Sequence, residues 1–437
     1  MPKIVQSILA RDFWGTLFPI LAILVATGWI AYQYVQPAPP HKVIMTSGAE
    51  GGAYENFALQ YRDILAREGI AVEIRPSAGS VDNLKRLKDD TSGISVGFVQ
   101  GGIAKSEDSG NLMSLASLYY EPLWVFYRNG PEADRLRSFR GKKIAVGPEG
   151  SGTRPLALQA LKLAGLDDTN TTFLPLGAGD AADALIKGSI DVAMIIGAPE
   201  SPTVRKMMHA RSIQLMNFSH AEAYTRYLPF LSHVVLPKGG IDLIDDLPPR
   251  DVHLIAPTAN LVVRDDLHPA LVSLLLQAAT EVHSDAGMLH KTGEFPSSAN
   301  LDIAQSLDAR RYIKQGPPFL QRHLPFWMAV LFDRLFVMLI PLLVVLVPLV
   351  KLAPVVYSWR IKSRIYRWYG KLKVLEGDLE SAHDAADIKA LQQRLDVIEQ
   401  SVIHIPTPLA YTDYLYHLRS HISLVRAKLR SMAGTAS

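Results

Sequence analysis

Three short turns rich in glycine and serine carry the residues best suited to hold a ligand. They are Gly51, Gly52, Ala53 and Tyr54; Ser77, Gly79 and Ser80; and Ser151, Gly152 and Thr153. Each turn follows a predicted strand and precedes a predicted helix. Small residues at a helix start leave backbone N–H groups accessible, and the helix dipole adds partial positive charge there. The pattern therefore predicts cradles for an anionic group such as a carboxylate.

The same turns have a simpler structural interpretation. Glycine and serine are common at strand-to-helix turns, where they form turns and cap helices. We favour ligand contact because three such turns occur at the same relative place in two similar segments. Gln100, after the third predicted strand, is a further ligand candidate, although it is equally suited to capping a turn. The ring of Tyr54 is equally suited to packing in the core.

Other kinds of chemistry have little support in this sequence. The turn from Gly147 to Thr153 resembles a nucleotide P-loop, but Thr153 stands where that motif needs lysine. The 13 histidines are scattered without a His-Glu-x-x-His motif, and the absence of cysteine excludes a thiolate nucleophile. Glu50 and Glu200 flank the predicted cleft, where they would either recognise an amine or stay solvated. We therefore predict no enzyme activity, no metal and no cofactor.

The turns are positioned by strands that alternate with amphipathic helices, a pattern typical of parallel βαβ units. In such sheets ligands bind at the carboxyl ends of the strands. Strands are predicted at Val43–Thr46, Ala71–Ile74, Ile94–Val99, Lys143–Val146, Thr172–Leu174 and Val192–Ile196.

The predicted domain covers residues 42–325 and has two lobes. Lobe 1 comprises about 42–122 and 257–325, and lobe 2 comprises about 123–256. Extended apolar stretches near Pro122–Tyr127 and Ala256–Val263 are suited to carry the chain from one lobe to the other and back. Two lobes joined by two such strands form a hinged clamp around a cleft.

Several motifs occur in a fixed order along this domain. They are Ser47–Tyr54 (SGAEGGAY), Ser77–Asn83 (SAGSVDN), Gly141–Gly147 (GKKIAVG) and Gly150–Thr153 (GSGT). As a set they resemble the TAXI family of solute receptors, the periplasmic binding proteins of TRAP (tripartite ATP-independent periplasmic) transporters. The resemblance covers nearly all of Val43–Leu324. It implies an α/β fold in the form of a two-lobed clamp, like that of type II periplasmic binding proteins. It also implies that the clamp captures a small organic solute, commonly a carboxylate, and delivers it to a TRAP permease.

Two strongly apolar stretches flank the domain. Residues 13–35 carry no charge, and residues 335–359 carry only Lys351. About 20 apolar residues suffice to cross a bilayer as a helix. We therefore predict transmembrane helices at 13–35 and 335–359, with a short cytoplasmic N-terminus at 1–12. A cleavable signal peptide is the alternative for the first stretch, although an apolar core of 7 to 15 residues is usual there.

Basic residues immediately after the second stretch set the expected orientation. They are Arg360, Lys362, Arg364, Arg367, Lys371 and Lys373. Such clusters are retained in the cytoplasm and attract anionic lipid. We predict a bacterial inner-membrane protein with its main domain in the periplasm and both termini cytoplasmic. The absence of cysteine fits that compartment. The formal charge of +3 is small, and nucleic acid is not an expected partner.

The predicted cytoplasmic segment, 360–437, carries two apolar stripes at helical spacing. These lie on Ile388–Val402 and Leu415–Met432, separated by Pro406 and Pro408. They predict a helical hairpin that packs on itself, on another copy or on a cytoplasmic partner. Typical TAXI receptors lack a second span. Two functions therefore remain open: a membrane-anchored receptor serving TRAP-type transport, and a ligand sensor that signals through these helices to a cytoplasmic partner.

Overall fold

The computed structural model describes residues 3–35, 37–105, 110–128, 130–381 and 385–435. The chain divides into two compact units. One unit comprises Ala38–Val330, and the other is formed by the chain before Ala38 and after Val330.

The strands all belong to the first of these units. They are β1 (Lys42–Thr46), β2 (Ala71–Arg75), β3 (Val96–Gln100), β4 (Leu112–Tyr120), β5 (Leu123–Arg128), β6 (Lys143–Ala145), β7 (Thr172–Leu174), β8 (Val192–Ile196), β9 (Ile213–Leu215), β10 (Ser232–Leu236), β11 (Val252–Ala256) and β12 (Thr258–Arg264).

The α-helices occur in both units. They are α1 (Lys3–Tyr34), α2 (Ala53–Arg67), α3 (Ser80–Lys88), α4 (Thr153–Leu163), α5 (Ala178–Lys187), α6 (Pro202–Met208), α7 (Ala221–Tyr227), α8 (Pro269–His283), α9 (Leu307–Gln315), α10 (Phe319–His323), α11 (Phe326–Glu380), α12 (Ala385–Ile403) and α13 (Thr412–Thr435).

Two five-stranded sheets with closely similar topology organise the first unit. Their strand orders are β2-β1-β3-β12-β4 and β7-β6-β8-β5-β9. Strands β1, β2 and β3 run parallel in the first sheet, and β6, β7 and β8 run parallel in the second. Strands β10 and β11 pair separately as an antiparallel ribbon. The fold class is therefore α/β with two mixed sheets.

The sheets are mixed because each receives one strand from the chain that crosses between them. Strand β5 follows directly after β4 of the first sheet and pairs antiparallel with β8 and β9. Strand β12 returns from the second half and pairs antiparallel with β3 and β4. The six strands predicted to form βαβ units do run parallel. The two crossing strands, for which no direction was predicted, run antiparallel to them.

Each sheet has its own hydrophobic core. The second sheet buries Trp124 and Phe126 of β5 among residues of α4 and α5. The first sheet buries Phe98 of β3 against α2 and α8. Helix α2 faces this core with Tyr54, Ala58, Tyr61 and Leu65, whose spacing of three and four residues places them on one side of the helix. The core therefore fixes α2, and with it the turn that precedes α2.

Two helices in the second unit are long and apolar enough to cross a bilayer. One is α1, through its segment Leu17–Tyr34, and the other is α11. Helix α11 contains Pro341, Pro348 and Pro354 and is nevertheless assigned as one helix. Both helices expose most of their described apolar side chains.

The last turns of α11 pack with α12 and α13 into a small bundle. The predicted apolar stripes fall on α12 and α13, and α11 adds a third apolar face that the sequence interpretation did not include. The buried residues of the bundle are Ile365, Leu372, Leu375, Leu379, Ile388, Leu391, Leu395, Ile398, Val402, Leu415, Leu418, Ile422, Val425 and Leu429.

Candidate ligand-binding site

The three predicted turns lie at the carboxyl ends of parallel strands. Gly52, Gly79 and Gly152 immediately precede α2, α3 and α4, respectively. Having no side chain, these glycines cannot cap the first backbone N–H groups of their helices. The first turn of each helix keeps its positive dipole character. Part of its donor capacity is already used: Gly51 donates to Glu55 Oε2, Asp82 to the carbonyl of Gly150, and Arg154 to Ser151 Oγ.

The turns of the two sheets touch each other. The backbone N–H of Asp82 donates to the carbonyl of Gly150 over 3.2 Å. The amide of Gln100 donates to the carbonyl of Gly152 over 3.2 Å. A Cβ atom at Gly152 would collide with Gln100 Oε1. A side chain at Gly79 would crowd the backbone of Ser151. Gly79 also has a φ of 133°, which residues with a side chain rarely adopt. Glycine is therefore required for this close approach.

Ser80 connects the turns to the interior. Its Oγ accepts a hydrogen bond from the backbone N–H of Gln100 over 3.0 Å and lies 3.0 Å from the hydroxyl of Tyr54. Tyr54 donates in turn to Glu121 Oε2 over 2.8 Å. Its ring stacks on Phe98 with centroids 5.3 Å apart. Tyr54 is thus a packed ring and also a member of a polar chain that reaches from the turns to the strand crossing.

Glu121 is a buried carboxylate at the crossing between β4 and β5, with a side chain only 4% exposed. Burial raises its pKa to about 7, although the hydrogen bonds from Tyr54 and from Tyr119 act in the opposite direction. Its backbone N–H donates to the carbonyl of Pro257 over 2.9 Å. Glu121 therefore joins both crossing segments to the polar chain from the turns.

The remaining predicted hydroxyls mainly stabilise their own turns. Ser77 Oγ donates to the carbonyl of Ser47 over 3.2 Å and accepts from the N–H of Gly79. Ser151 Oγ donates to the carbonyl of Pro148 over 2.7 Å. Thr153 begins α4. Ser77 and Ser151 thus act locally as turn-forming residues, which is the alternative to ligand contact considered for these turns.

A cavity of about 390 Å³ opens beside the first turn. Gly51 and Ala53 lie in its wall, which is completed by the end of β4, the loop after β8 and the segment that follows α8. Its volume is in the range of small-molecule sites. Of the other predicted site residues, Gly79, Ser80, Gln100, Ser151 and Gly152 lie at the contact between the two sheets.

Aromatic rings form much of the cavity wall. Phe57 and Tyr119 lie with ring centroids 4.8 Å apart, and Tyr119 stacks on His283 at 5.6 Å with an interplanar angle of 15°. Burial lowers the pKa of His283 to about 3, so its imidazole is neutral near pH 7. Its Nε2 has no hydrogen-bond partner among the described residues. Tyr120, also in the wall, donates to Glu294 over 2.9 Å.

The sequence interpretation missed Glu121 and the aromatic wall. Glu121 had a usable signal, because it is a single acid in the apolar stretch from Leu118 to Tyr127. A charged residue there must be buried or must mark a bend. His283 had no such signal, since it looks like an ordinary basic residue at the end of α8. Its importance comes from the helix packing that brings it against Tyr119.

A family model described as the NMT1-like family matches residues 45–308. The match spans both sheets, every predicted turn and the cavity wall.

Several solved structures are also similar to this chain. The periplasmic aliphatic sulphonate binding protein SsuA from Escherichia coli is 13% identical, with a TM-score of 0.39, and the match covers 56% of this chain and 73% of that one. An ancestral arginine-binding protein bound to arginine is 15% identical, with a TM-score of 0.38, covering 56% and 94%. A Xanthomonas citri protein bound to chloride ion is 14% identical, with a TM-score of 0.39, covering 67% and 97%. Similarities this low do not identify a ligand.

Proposed function

This chain belongs to the NMT1-like family, and we propose that it is a membrane-anchored periplasmic receptor whose two sheets form a two-lobed clamp around a small organic acid. The receptor belongs, in this proposal, to the TAXI type and serves TRAP-type transport. Its ligand-binding residues are those of the three turns, with Gln100. The lobes correspond to about 42–122 with 257–325, and to about 123–256.

One observation carries the proposal: the turns at the starts of α3 and α4 approach each other from two separate sheets. The carbonyl of Gly152 accepts from Gln100, and the carbonyl of Gly150 accepts from Asp82. Helix starts offer N–H donors and dipole charge without a formal cation. Such convergence is the geometry that a clamp needs to enclose an anionic group between its lobes.

The placement in the bacterial inner membrane rests on α1, α11 and the basic cluster after residue 359. Gly15 of α1 lies beside Arg360 of α11, so that a side chain at Gly15 would meet the guanidinium group. This contact supports a topology in which both helices cross the membrane and the residues before α1 and after α11 share the cytoplasmic side. The segment 38–330 then faces the periplasm.

Calorimetry on the full chain in detergent tests the proposal. Gly52→Asp and Gly52→Ala share the crowding of a new Cβ against the carbonyl of Ala49, whereas Asp adds a negative charge at the start of α2. We expect the Asp variant to bind an organic acid at least about tenfold more weakly than the Ala variant, since like charges repel in a buried site. Equal affinities of the two variants would show that the turn before α2 is not part of the binding site.

Helix α11 supports the second candidate function, a ligand sensor. The N–H of Phe326, the first residue of α11, donates to Oε2 of Glu68, the residue directly after α2, over 3.3 Å. Phe326 and Val330 pack in the core of the first sheet. The same helix ends in the bundle with α12 and α13. A movement of α2 on ligand binding would thereby have a continuous helix through which to reach a cytoplasmic partner.

Deleting the chain after Gly370 distinguishes between the receptor function and the sensor function. In both, ligand affinity is unchanged, because the turns and the cavity belong to the segment 38–330. In the receptor function, cellular uptake of the ligand continues when membrane levels of the protein are normal. Loss of uptake with normal ligand affinity would favour the sensor or a docking role for the tail.

A further inference from the structure

We propose that the cavity beside α2 holds the body of the ligand and selects monocarboxylates with a flat apolar body over dicarboxylates. This proposal rests on the proposed receptor function and makes its ligand class narrower. It is carried by the charge, shape and unpaired polar atoms of the cavity wall.

The carboxylate end of the ligand is assigned to the start of α2. This helix is 15 residues long, and Gly52 before it has no side chain with which to cap it. Gly51 and Ala53 are part of the cavity wall. The N–H of Gly51 already donates to Glu55 Oε2 over 2.6 Å, and that of Gly52 donates to the carbonyl of Ala49. The ligand carboxylate is therefore assigned to the first N–H groups of α2 itself, where it also interacts favourably with the helix dipole.

The flat body of the ligand is assigned to the aromatic wall. Phe57, Tyr119 and His283 form a continuous set of rings, with centroid distances of 4.8 Å, 5.6 Å and 4.6 Å between their three pairs. Met288 and Leu289 add apolar surface to the same cavity. A planar apolar group stacks on such a wall, where aromatic pairs contribute beyond simple burial.

His283 supplies the second sign of a ligand. Its side chain is 5% exposed, and its Nε2 lacks a hydrogen-bond partner among the described residues. A buried polar atom without a partner is costly and calls for one. The Nε2 atom is itself buried, so a ligand, or a water that enters with it, reaches this atom only when the ring turns toward the cavity. Since the imidazole is neutral, it does not attract a second anion.

The charges of the wall argue against dicarboxylates. Glu200 and Asp285 both line the cavity, and none of its described lining residues is a lysine or an arginine. A second ligand carboxylate would therefore meet acidic side chains without a formal positive charge to balance it. Like charges placed close together in a partly desolvated site cost several kcal/mol.

Calorimetry with the full chain in detergent tests this selectivity with four probes. They are phenylacetate, 1,4-phenylenediacetate, succinate and benzyl alcohol. The second probe adds a carboxylate to the same ring, the third lacks the ring and the fourth lacks the carboxylate. We expect phenylacetate to bind at least about tenfold more tightly than each of the others, because repulsion or a lost anchor costs about 1.4 kcal/mol or more.

Two substitutions assign the selectivity to this cavity. Glu200→Gln should raise the affinity for 1,4-phenylenediacetate relative to phenylacetate about threefold or more, by removing one repelling charge. The matched control is Asp168→Asn, at an exposed carboxylate remote from the described wall. Phe57→Leu should weaken phenylacetate binding about tenfold, whereas Phe319→Leu, at a ring 73% exposed, should not. Thermal melts establish that each variant is folded.

Failure of this proposal is distinguishable from failure of the receptor function. If succinate binds and phenylacetate does not, the receptor function stands and the selectivity is wrong. If phenylacetate binds but neither Glu200→Gln nor Phe57→Leu alters its binding, the cavity assignment is wrong. If phenylacetate does not bind at millimolar concentration, the selectivity is wrong whichever other acid the chain carries.

Discussion

The hydroxyl of Tyr54 donates a hydrogen bond of 2.8 Å to the buried carboxylate of Glu121. Tyr54 lies on the helix that follows the first turn, and Glu121 lies where the chain leaves the first sheet for the second. The bond thus ties the predicted ligand turns to the strand crossing that would act as a hinge. The sequence marks Glu121 as an unusual acid in an apolar stretch, but it does not indicate that Tyr54 is its partner.

The raised pKa of Glu121 gives stability a defined pH dependence. Burial moves this pKa from an ordinary value of 4.5 to about 7. Between these values the folded chain keeps a proton that the unfolded chain has released, so stability falls as pH rises through this window. The loss is complete above pH 7 and amounts to about 3 kcal/mol at most.

Glu121→Gln should remove this contribution, because the amide stays neutral. We expect the melting temperature of the variant, relative to that of the native chain, to be higher at pH 8 than at pH 5. The control is Glu132→Gln, at a half-exposed glutamate paired with Arg250. A difference between variant and native chain that does not depend on pH would show that Glu121 ionises normally.

Contact between the two sheets should depend on the absence of a side chain at Gly152. The backbone there has a φ of −73°, which any residue can adopt, so Gly152→Ala acts mainly through its collision with Gln100, with Ser80 Oγ 3.2 Å from the new Cβ. We expect organic acid binding to weaken about tenfold, since closure would have to displace Gln100. Gly179→Ala, with open space around the new Cβ, should bind normally.

The double variant Gly152→Ala/Gln100→Ala completes this test by calorimetry. Since Gln100 is itself a proposed ligand residue, the double variant is compared with Gln100→Ala. Without the Gln100 amide the obstacle is gone, so adding Gly152→Ala to Gln100→Ala should weaken binding much less than Gly152→Ala weakens binding in the native chain. An equal loss in both backgrounds would mean that the collision with Gln100 is not what weakens binding.

The bundle of the tail should depend on α11 as much as on α12 and α13. Leu375 of α11 is fully buried, whereas the neighbouring Val374 is 58% exposed. We expect Leu375→Ala to destabilise the bundle by about 2–5 kcal/mol, and Val374→Ala to have little effect. Hydrogen exchange of the α12 amides in the full chain measures both. Equal exchange in the two variants would indicate a bundle of α12 and α13 that is stable without α11.

A reporter enzyme that is active only in the periplasm tests the topology. It should be active when fused near Gly130 and inactive when fused near Ser437, because the basic cluster after residue 359 holds that end in the cytoplasm. A cleaved first segment would leave this result unchanged and is detected by the size of the mature chain. Activity of the C-terminal fusion would overturn the orientation.

The local sequence pattern was enough to predict the strands and helices that surround the candidate site. Strands β7 and β8 begin and end where the alternation predicts, and α2, α3 and α4 begin after the predicted glycines. These elements depend on near neighbours in sequence, through helix periodicity and turn chemistry.

Long-range packing decided what the sequence could not indicate. The antiparallel direction of β5 and β12 follows from where the chain crosses between the sheets. The aromatic wall depends on α8 placing His283 against Tyr119, residues far apart in sequence. The extension of α11 to Glu380 was missed because its basic residues were interpreted only as a topology signal, although Ile365, Leu372 and Leu379 continue an apolar face within them.

Native mass spectrometry of the full chain, purified rapidly from membranes, tests the central claim most directly. We predict one small organic acid bound per chain, released on denaturation and identified by its mass, and strongly reduced occupancy in Gly52→Asp compared with Gly52→Ala. A chain that carries no small molecule, and that binds none of a broad set of organic acids in calorimetry, would contradict the claim that this protein is a solute receptor.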